Sequence, residues 1–292
     1  MVEVVEKPSF RAEDFDRSKK KPGVSAIIRL KNEEDFLELA LASIEPFFDE
    51  FIVVYNGCTD RTPEIVEGFA AANEKRVKAF HYVPEVFPQG SEMQRRLPAN
   101  DVNSLVHYYN FALSKATRQV CAKWDGDMIA APQPFRQVMD RLRSARNSML
   151  ARWTSPWTAG FWWYSGVNLS DKDGKIFVIK KRPRAWGRYD HGLWPVSRVN
   201  KFTHDPRFEL LNTRWLVKSF VGFVFFHLKG MKRDRGAGVY QLERNPNSPY
   251  KKLVDEVWRD PEVITLDEYC RMMPAARSLP SPESLGIRPL QR

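Results

Sequence analysis

Two apolar, β-branched runs, each stopped by a polar turn that opens an amphipathic stretch, limit what this chain can fold into more than any other feature. The first is Val24-Ser25-Ala26-Ile27-Ile28-Arg29-Leu30. It breaks at Lys31-Asn32-Glu33-Glu34, beyond which Phe36, Leu37, Ala40, Leu41 and Ile44 recur at helical spacing. The second, Phe51-Ile52-Val53-Val54-Tyr55, ends in another polar turn, and Thr62-Pro63-Glu64 then sets a cap residue, a first-turn proline and an acid in order. That helix is expected to run towards Asn73. A strand–helix–strand–helix start predicts an α/β sheet, whose ligands sit at the carboxyl ends of its strands. No G-x-G-x-x-G follows either run, so a dinucleotide site has no support.

Further along, 77–83 reads as a third strand, and residues 102–118 carry a helical stripe of Val102, Leu105, Val106, Tyr109, Leu113 and Ala116. Gln119 to Trp124 is a short apolar strand that runs straight into Asp125-Gly126-Asp127. The second half differs in character. Aromatics crowd 153–164, and Ser170-Asp171-Lys172-Asp173-Gly174 reads as a hairpin turn before Ile176-Phe177-Val178-Ile179. Residues 1–22 read as an arm ending at Pro22-Gly23, and 278–292 as a loosely attached tail.

With 43% hydrophobic residues and 13% aromatics the chain has material for a true core, which excludes global disorder. Its three cysteines lie far apart without a C-x-x-C, which favours a reducing compartment and speaks against structural zinc. The first 22 residues are charged rather than apolar, so no signal peptide is read, and the most apolar window, Trp215 to Leu228, is too short to span a bilayer. A cytoplasmic protein is expected. The net charge of +10 fits an anionic partner, whether nucleic acid, a membrane face or a phosphorylated substrate. No nucleic-acid module signature is present, and nucleic acid is not expected as a partner.

Asp125-Gly126-Asp127 is the chemical centre of the reading. In an extended segment alternate side chains share a face, which would set the two carboxylates together, roughly 6–7 Å apart at the backbone. Glycine between them would leave room for a bulky ligand. Carboxylate oxygens suit Mg²⁺ or Mn²⁺, and such ions bridge phosphate oxygens. A short acidic turn is the plainer reading of the same three residues.

Both strand ends, the Gly57-Cys58-Thr59-Asp60-Arg61-Thr62-Pro63-Glu64-Ile65 helix start and the Asp125-Gly126-Asp127 that follows a buried strand resemble family 2 glycosyltransferases. The resemblance implies a GT-A fold: an α/β, Rossmann-like mixed sheet flanked by helices, with an acceptor-binding second half. It divides the chain into the arm (1–22), a catalytic domain (23–240) with a nucleotide-sugar half (23–130) and an acceptor half (131–240), and a C-terminal extension (241–292). It implies an inverting, metal-dependent transfer of a sugar to a glycan or lipid-linked glycan acceptor, of the kind that builds bacterial surface polysaccharide. Asp125 would bind the nucleotide ribose and Asp127 the Mn²⁺ or Mg²⁺. Arg29, Asn32, Glu33 and Asn56 would surround base and ribose. The family carries an acid where Tyr55 or Asn56 stands here, which leaves the donor base open; Asn32 and Asn56 also suit plain turn chemistry.

A further metal ligand from late in the chain is implied, and His227 fits it, unless it is a core histidine. Lys229, Lys232, Arg233 and Arg235 follow on a loop where cations could grip a diphosphate. The catalytic base is expected to be Glu209, whose apolar flanks would raise its basicity, with Asp205 and Asp190 as alternatives. Trp153, Trp157, Phe161, Trp162, Trp163, Tyr164, Trp186 and Trp194 could supply a sugar-stacking platform or simple core. The basic surplus allows peripheral contact with an anionic inner membrane. Two other classes stay open: a nucleotidyltransferase, whose glycine-rich loop is missing at the first strand end, and a non-catalytic basic binding protein on a degenerate GT-A fold.

Overall fold

The unbroken apolar runs are strands buried on both faces, which is why they lack alternation. The computed structural model describes residues 1–87, 91–148, 154–180, 191–199, 201–204, 209–213, 215–233 and 262–290. Its first strands are β1 (Val2–Val5), β2 (Lys21–Leu30), β3 (Glu50–Tyr55), β4 (Val77–Tyr82) and β5 (Arg118–Asp125), interleaved with α1 (Leu37–Ile44), α2 (Thr62–Ala72), α3 (Glu92–Arg96) and α4 (Leu105–Ser114). These five strands pair in parallel in the order β1-β4-β3-β2-β5. Ala26, Ile28, Leu30, Phe51, Val53 and Tyr55 pack against α1, α2 and α5 (Pro132–Ala145), while Ile27, Ile52 and Val54 pack against α4 on the other face. Each Val, Leu, Ile or Phe among them, fully buried, contributes roughly 1.5–3 kcal/mol.

Past β5 the sheet becomes mixed. It continues through β9 (Gly192–Pro195), β7 (Gly160–Lys172), β12 (Val217–Gly230) and β6 (Met128–Ala130), and β8 (Lys175–Ile179) forms a hairpin with β7. Here β9 runs antiparallel to both β5 and β7, β7 and β12 pair in parallel, and β6 is antiparallel to β12. The hairpin turn lies at Asp173-Gly174, both at positive φ, as expected from the sequence. A separate pair, β10 (Phe202–His204) and β11 (Glu209–Leu211), lies beside α4. The result is a mixed α/β sheet flanked by helices. The apolar window at 215–228 is largely strand β12, and no helix among the described residues is long and apolar enough to cross a membrane.

Both chain ends are tied down more firmly than their sequences indicate. In the arm, β1 adds an edge strand beside β4 and Phe15 is fully buried. In the tail, Leu279 and Ile287 are buried in a third cluster with Phe36, Ala40, Ile129, Leu228 and Met231. That cluster also takes in Tyr269 from α6 (Leu266–Met272), just after the short strand β13 (Val263–Ile264). The reading of 278–292 as loosely attached is therefore corrected.

Candidate active site

Two turns at the carboxyl ends of β2 and β3 are laced to one another. Asn32, at positive φ, accepts from the Thr59 amide at 2.8 Å and donates to its hydroxyl. The Glu33 amide donates to Thr62 Oγ1 at 2.7 Å, and the Glu34 amide to Asp60 Oδ2 at 2.9 Å. Thr62 is thus a buried acceptor for the neighbouring turn, and Asp60 receives the Thr62 amide at the start of α2. The turn chemistry of Asn32 accounts for its bonds within the protein.

Beside these turns, β5 ends at Asp125, in register with Arg29 of β2. Gly126 and Asp127 form a turn rather than the extended segment expected, and β6 leaves it. A Cβ on Gly126 would lie 2.8 Å from Leu30 Cδ2 and 3.0 Å from Glu33 Cβ. The glycine therefore admits Leu30 and Glu33 rather than a ligand, a second correction. Cross-strand pairing of β6 and β12 sets His227 opposite Met128, and the Asp127 carbonyl accepts from the Leu228 amide at 2.8 Å. This brings the imidazole to the turn: His227 Nε2 lies 3.2 Å from Asp127 Oδ1. Asp125, Asp127 and His227 each offer a ligand atom, all within 4.8 Å of one another.

Basic groups surround the two aspartates. Lys123 Nζ is 3.2 Å from Asp125 Oδ1, and His191 Nε2 is 3.3 Å from Asp125 Oδ2. Lys232 Nζ contacts Glu33 Oε2 and lies 3.0 Å from Asp127 Oδ2. Burial disfavours charge on Asp125, but Lys123 and His191 outweigh it and hold its carboxyl well below the ordinary range. Burial is likewise outweighed at Asp127 by Lys232 and His227, so its carboxyl is also lowered. Glu33 goes the other way. Its burial, with the charge of Asp127 added, pushes its carboxyl up to about 8 despite Lys232. Lys232 keeps its proton because Asp127 and Glu33 overcome the cost of burial. Two carboxylates, both held in the ionised form, and an imidazole suit a borderline-hard divalent ion, with the imidazole favouring Mn²⁺ over Mg²⁺.

The other expected residues divide. Arg29 lies over the Tyr109 ring, 3.0 Å from its centroid, on the α4 side of the site. Arg233 binds Asp35 and Glu34, with its Nε 2.6 Å from Asp35 Oδ1. Lys229 lies in β12, two residues beyond His227. Asn56 is turned inward at 2% exposure. Its amide donates to the Tyr82 and Pro84 carbonyls, and its oxygen accepts from the Val86 amide at 3.2 Å. Its bonding groups anchor the 82–86 loop, which takes it out of direct base reading. Arg235, Asp190 and Asp205 lie outside the described residues, as do Trp153 and Trp186; of Glu209 only the backbone, in β11, is described. Phe161, Trp162, Trp163, Tyr164 and Trp194 are core residues, each under 9% exposed, and Trp157 packs half-buried against the same core, so none of the six is an open platform. Reading the sequence missed His191 and Lys123. Lys123 was legible by alternation, two residues from Asp125 on one strand face. His191 carried one signal only, its being one of five histidines in the chain.

Residues 6–130 match the family model described as CgtA, Beta-1,4-N-acetylgalactosaminyltransferase, which is less than half of the chain. No curated protein sequence matches. Among solved structures, the chain is similar to S. aureus TarS 1-349 in complex with UDP-GlcNAc: 14% identity, 72% of this chain and 59% of that one, TM-score 0.45. TarS 1-349 alone gives 12% identity over 90% and 82% of the two chains, TM-score 0.44. Glucosyl-3-phosphoglycerate synthase from Mycobacterium tuberculosis, with Mn²⁺, UDP and phosphoglyceric acid, gives 18% identity over 57% and 51%, TM-score 0.31. The chain thus spans about three fifths of the first of these and half of the synthase. The family match covers the strand ends, Asp125 and Asp127. Over residues 6–130 the chain is similar to that family, and the mixed α/β sheet presents the matched strand ends, Asp125 and Asp127 at one edge.

Proposed function

We propose that the protein transfers a sugar, with inversion, from a nucleotide-sugar donor to an acceptor hydroxyl at a divalent-metal site formed by Asp127 and His227, with Asp125 beside them. The observation that carries this is the meeting of their ligand atoms within 4.8 Å at the carboxyl edge of the parallel strands. Bound there, Mn²⁺ or Mg²⁺ would act as a Lewis acid on the departing diphosphate. Asp125, in register with Arg29, is oriented by Lys123 and His191 to accept from the ribose. Lys232, Lys229 and Arg235 are the candidate cations for the diphosphate; Arg233 holds its loop to the first turn.

The base deprotonates the acceptor hydroxyl as it attacks the anomeric carbon. Glu209 remains the first candidate for this base, with Asp205 and Asp190 as alternatives. The acceptor we propose is a glycan or lipid-linked glycan of a bacterial-type surface polysaccharide, reached in the cytoplasm with the +10 charge favouring an anionic membrane face. The family description makes UDP-N-acetylgalactosamine the first donor to try.

The test is donor hydrolysis and transfer across a panel of nucleotide sugars, with Mn²⁺ and with EDTA. Turnover of one donor that needs Mn²⁺ and is lost in Asp127→Ala supports the proposal. Absence of turnover for every donor, combined with steeply salt-dependent RNA binding, would replace it with a basic binding protein.

A further inference from the structure

Lys232 occupies the position in this site that deserves explanation beyond charge balance. Its side chain is 11% exposed, and its ammonium bridges Glu33 Oε2 and Asp127 Oδ2, the latter at 3.0 Å. It is also held from both sides along the chain. Met231 before it is fully buried in the cluster with Ile129, Leu228, Tyr269 and Ile287. Arg233 after it is bound to the first turn, with its amide 2.9 Å from Asp35 Oδ2 and its guanidinium on Asp35 and Glu34. The backbone of Lys232 is therefore held at the site, so its ammonium can exchange partners there without leaving it.

Each site aspartate already faces one ammonium: Asp125 faces Lys123, and Asp127 faces Lys232. The two oxygens of Asp127 are both engaged, Oδ1 by His227 and Oδ2 by Lys232. A divalent ion ligated by Asp127 must come within roughly 2.0–2.2 Å of one of them. Two cations on one buried carboxylate repel strongly, because the interaction grows as the local dielectric falls. The ion therefore takes Asp127 only against the repulsion of the ammonium, which favours moving the ammonium off Oδ2. A diphosphate entering alongside supplies the displaced ammonium with new anionic oxygens.

We propose that Lys232 is the resident counter-cation of Asp127, which keeps the empty site neutral and makes metal and donor diphosphate bind as a coupled pair. The proposal rests on the metal-site reading above. Metal alone binds weakly because it meets the charge of Lys232; metal with diphosphate binds well because Lys232 changes partner. Such coupling is reciprocal, so metal raises diphosphate affinity by the same factor.

The experiment titrates Mn²⁺ into the full-length protein and reads free Mn²⁺ by electron paramagnetic resonance, without and with UDP. Lys232→Met removes the charge and keeps much of the length; Lys232→Gln keeps polar atoms for Glu33 and Asp127 and decides the matter if the methionine variant fails to fold. Both should bind Mn²⁺ alone at least tenfold more tightly than wild type, and UDP should tighten Mn²⁺ by a smaller factor in the variants. Equal or weaker Mn²⁺ affinity in the folded variants, or an unchanged UDP factor, overturns the role of Lys232 and leaves the metal site standing. If wild type and variants all fail to bind Mn²⁺, with or without UDP, the metal-site reading falls with it.

Discussion

Gly126→Ala tests the packing that shapes the site. The added methyl would lie 2.8 Å from Leu30 Cδ2 and 3.0 Å from both Cβ and Cγ of Glu33. Ordinary carbon contacts are roughly 3.5–4.0 Å, so three atoms on two side chains must retreat by about 0.5–1 Å each. Neither residue can yield as a unit. The Leu30 carbonyl accepts from the Asn56 amide at 3.2 Å, and the Glu33 amide is held by Thr62 at 2.7 Å. Overpacking of this kind costs about 1–3 kcal/mol, and relief by tilting Glu33 loosens its grip on Lys232. Gly68→Ala is the matched control. It lies on the exposed face of α2 with nothing within 4 Å, so it should stabilise by roughly 0.5–1 kcal/mol through helix propensity. Urea unfolding followed by tryptophan fluorescence should give opposite signs for the two variants, with altered Mn²⁺ binding in Gly126→Ala alone. A Gly126→Ala protein as stable as wild type, with wild-type Mn²⁺ affinity, would refute the close packing of Leu30 and Glu33.

Three more outcomes are expected. Glu50 opens β3 with its carboxylate accepting from Ser25 Oγ at 2.6 Å and from Thr117 N and Oγ1 at 2.7 Å, contacts that overcome its burial and lower its pKa. Its stabilisation is thus full above the unfolded pKa, about 4.3, and is lost as pH falls through the lower folded value. Glu50→Gln should cost about 2–4 kcal/mol at pH 7 and much less near pH 3, and a pH-independent difference would count against this. Ile287→Ala should destabilise by about 2–5 kcal/mol, whereas a loosely attached tail would give almost no change in the urea midpoint. His227→Ala should weaken Mn²⁺ binding at least tenfold with little change in melting temperature; the reverse pattern would make His227 a packing residue.

The elements legible in the sequence were those whose cause is local. Residues 24–30 and 51–55 announce themselves because a parallel strand covered on both faces must be apolar throughout. The helix read over 102–118 is shorter, Leu105–Ser114, because Ser104 caps it and the Asn103 amide turns back to Asp101. Other features depend on distant partners. His191 meets Asp125 across 66 residues, and nothing in its own neighbourhood says so. Asn56 looked free to read a base because the carbonyls that consume it, Tyr82 and Pro84, belong to a loop whose path is tertiary. The C-terminal apolar residues Leu279, Leu285 and Ile287 sit among short turns without helical or strand periodicity, so their burial left no pattern to read. The aromatic cluster was ambiguous for the opposite reason: rings that could stack on sugars are equally good core, and the described ones belong to or pack against the core.

The central claim is that Asp127 and His227, with Asp125 beside them, form the metal and diphosphate site. Crystals grown with Mn²⁺ and UDP, measured at the manganese absorption edge, test it most directly. The account predicts one anomalous peak about 2.0–2.3 Å from an Asp127 carboxylate oxygen and His227 Nε2, touching the diphosphate, with Lys232 moved off Asp127. An ordered UDP with no anomalous peak there, and Lys232 still bridging Glu33 and Asp127, would contradict it.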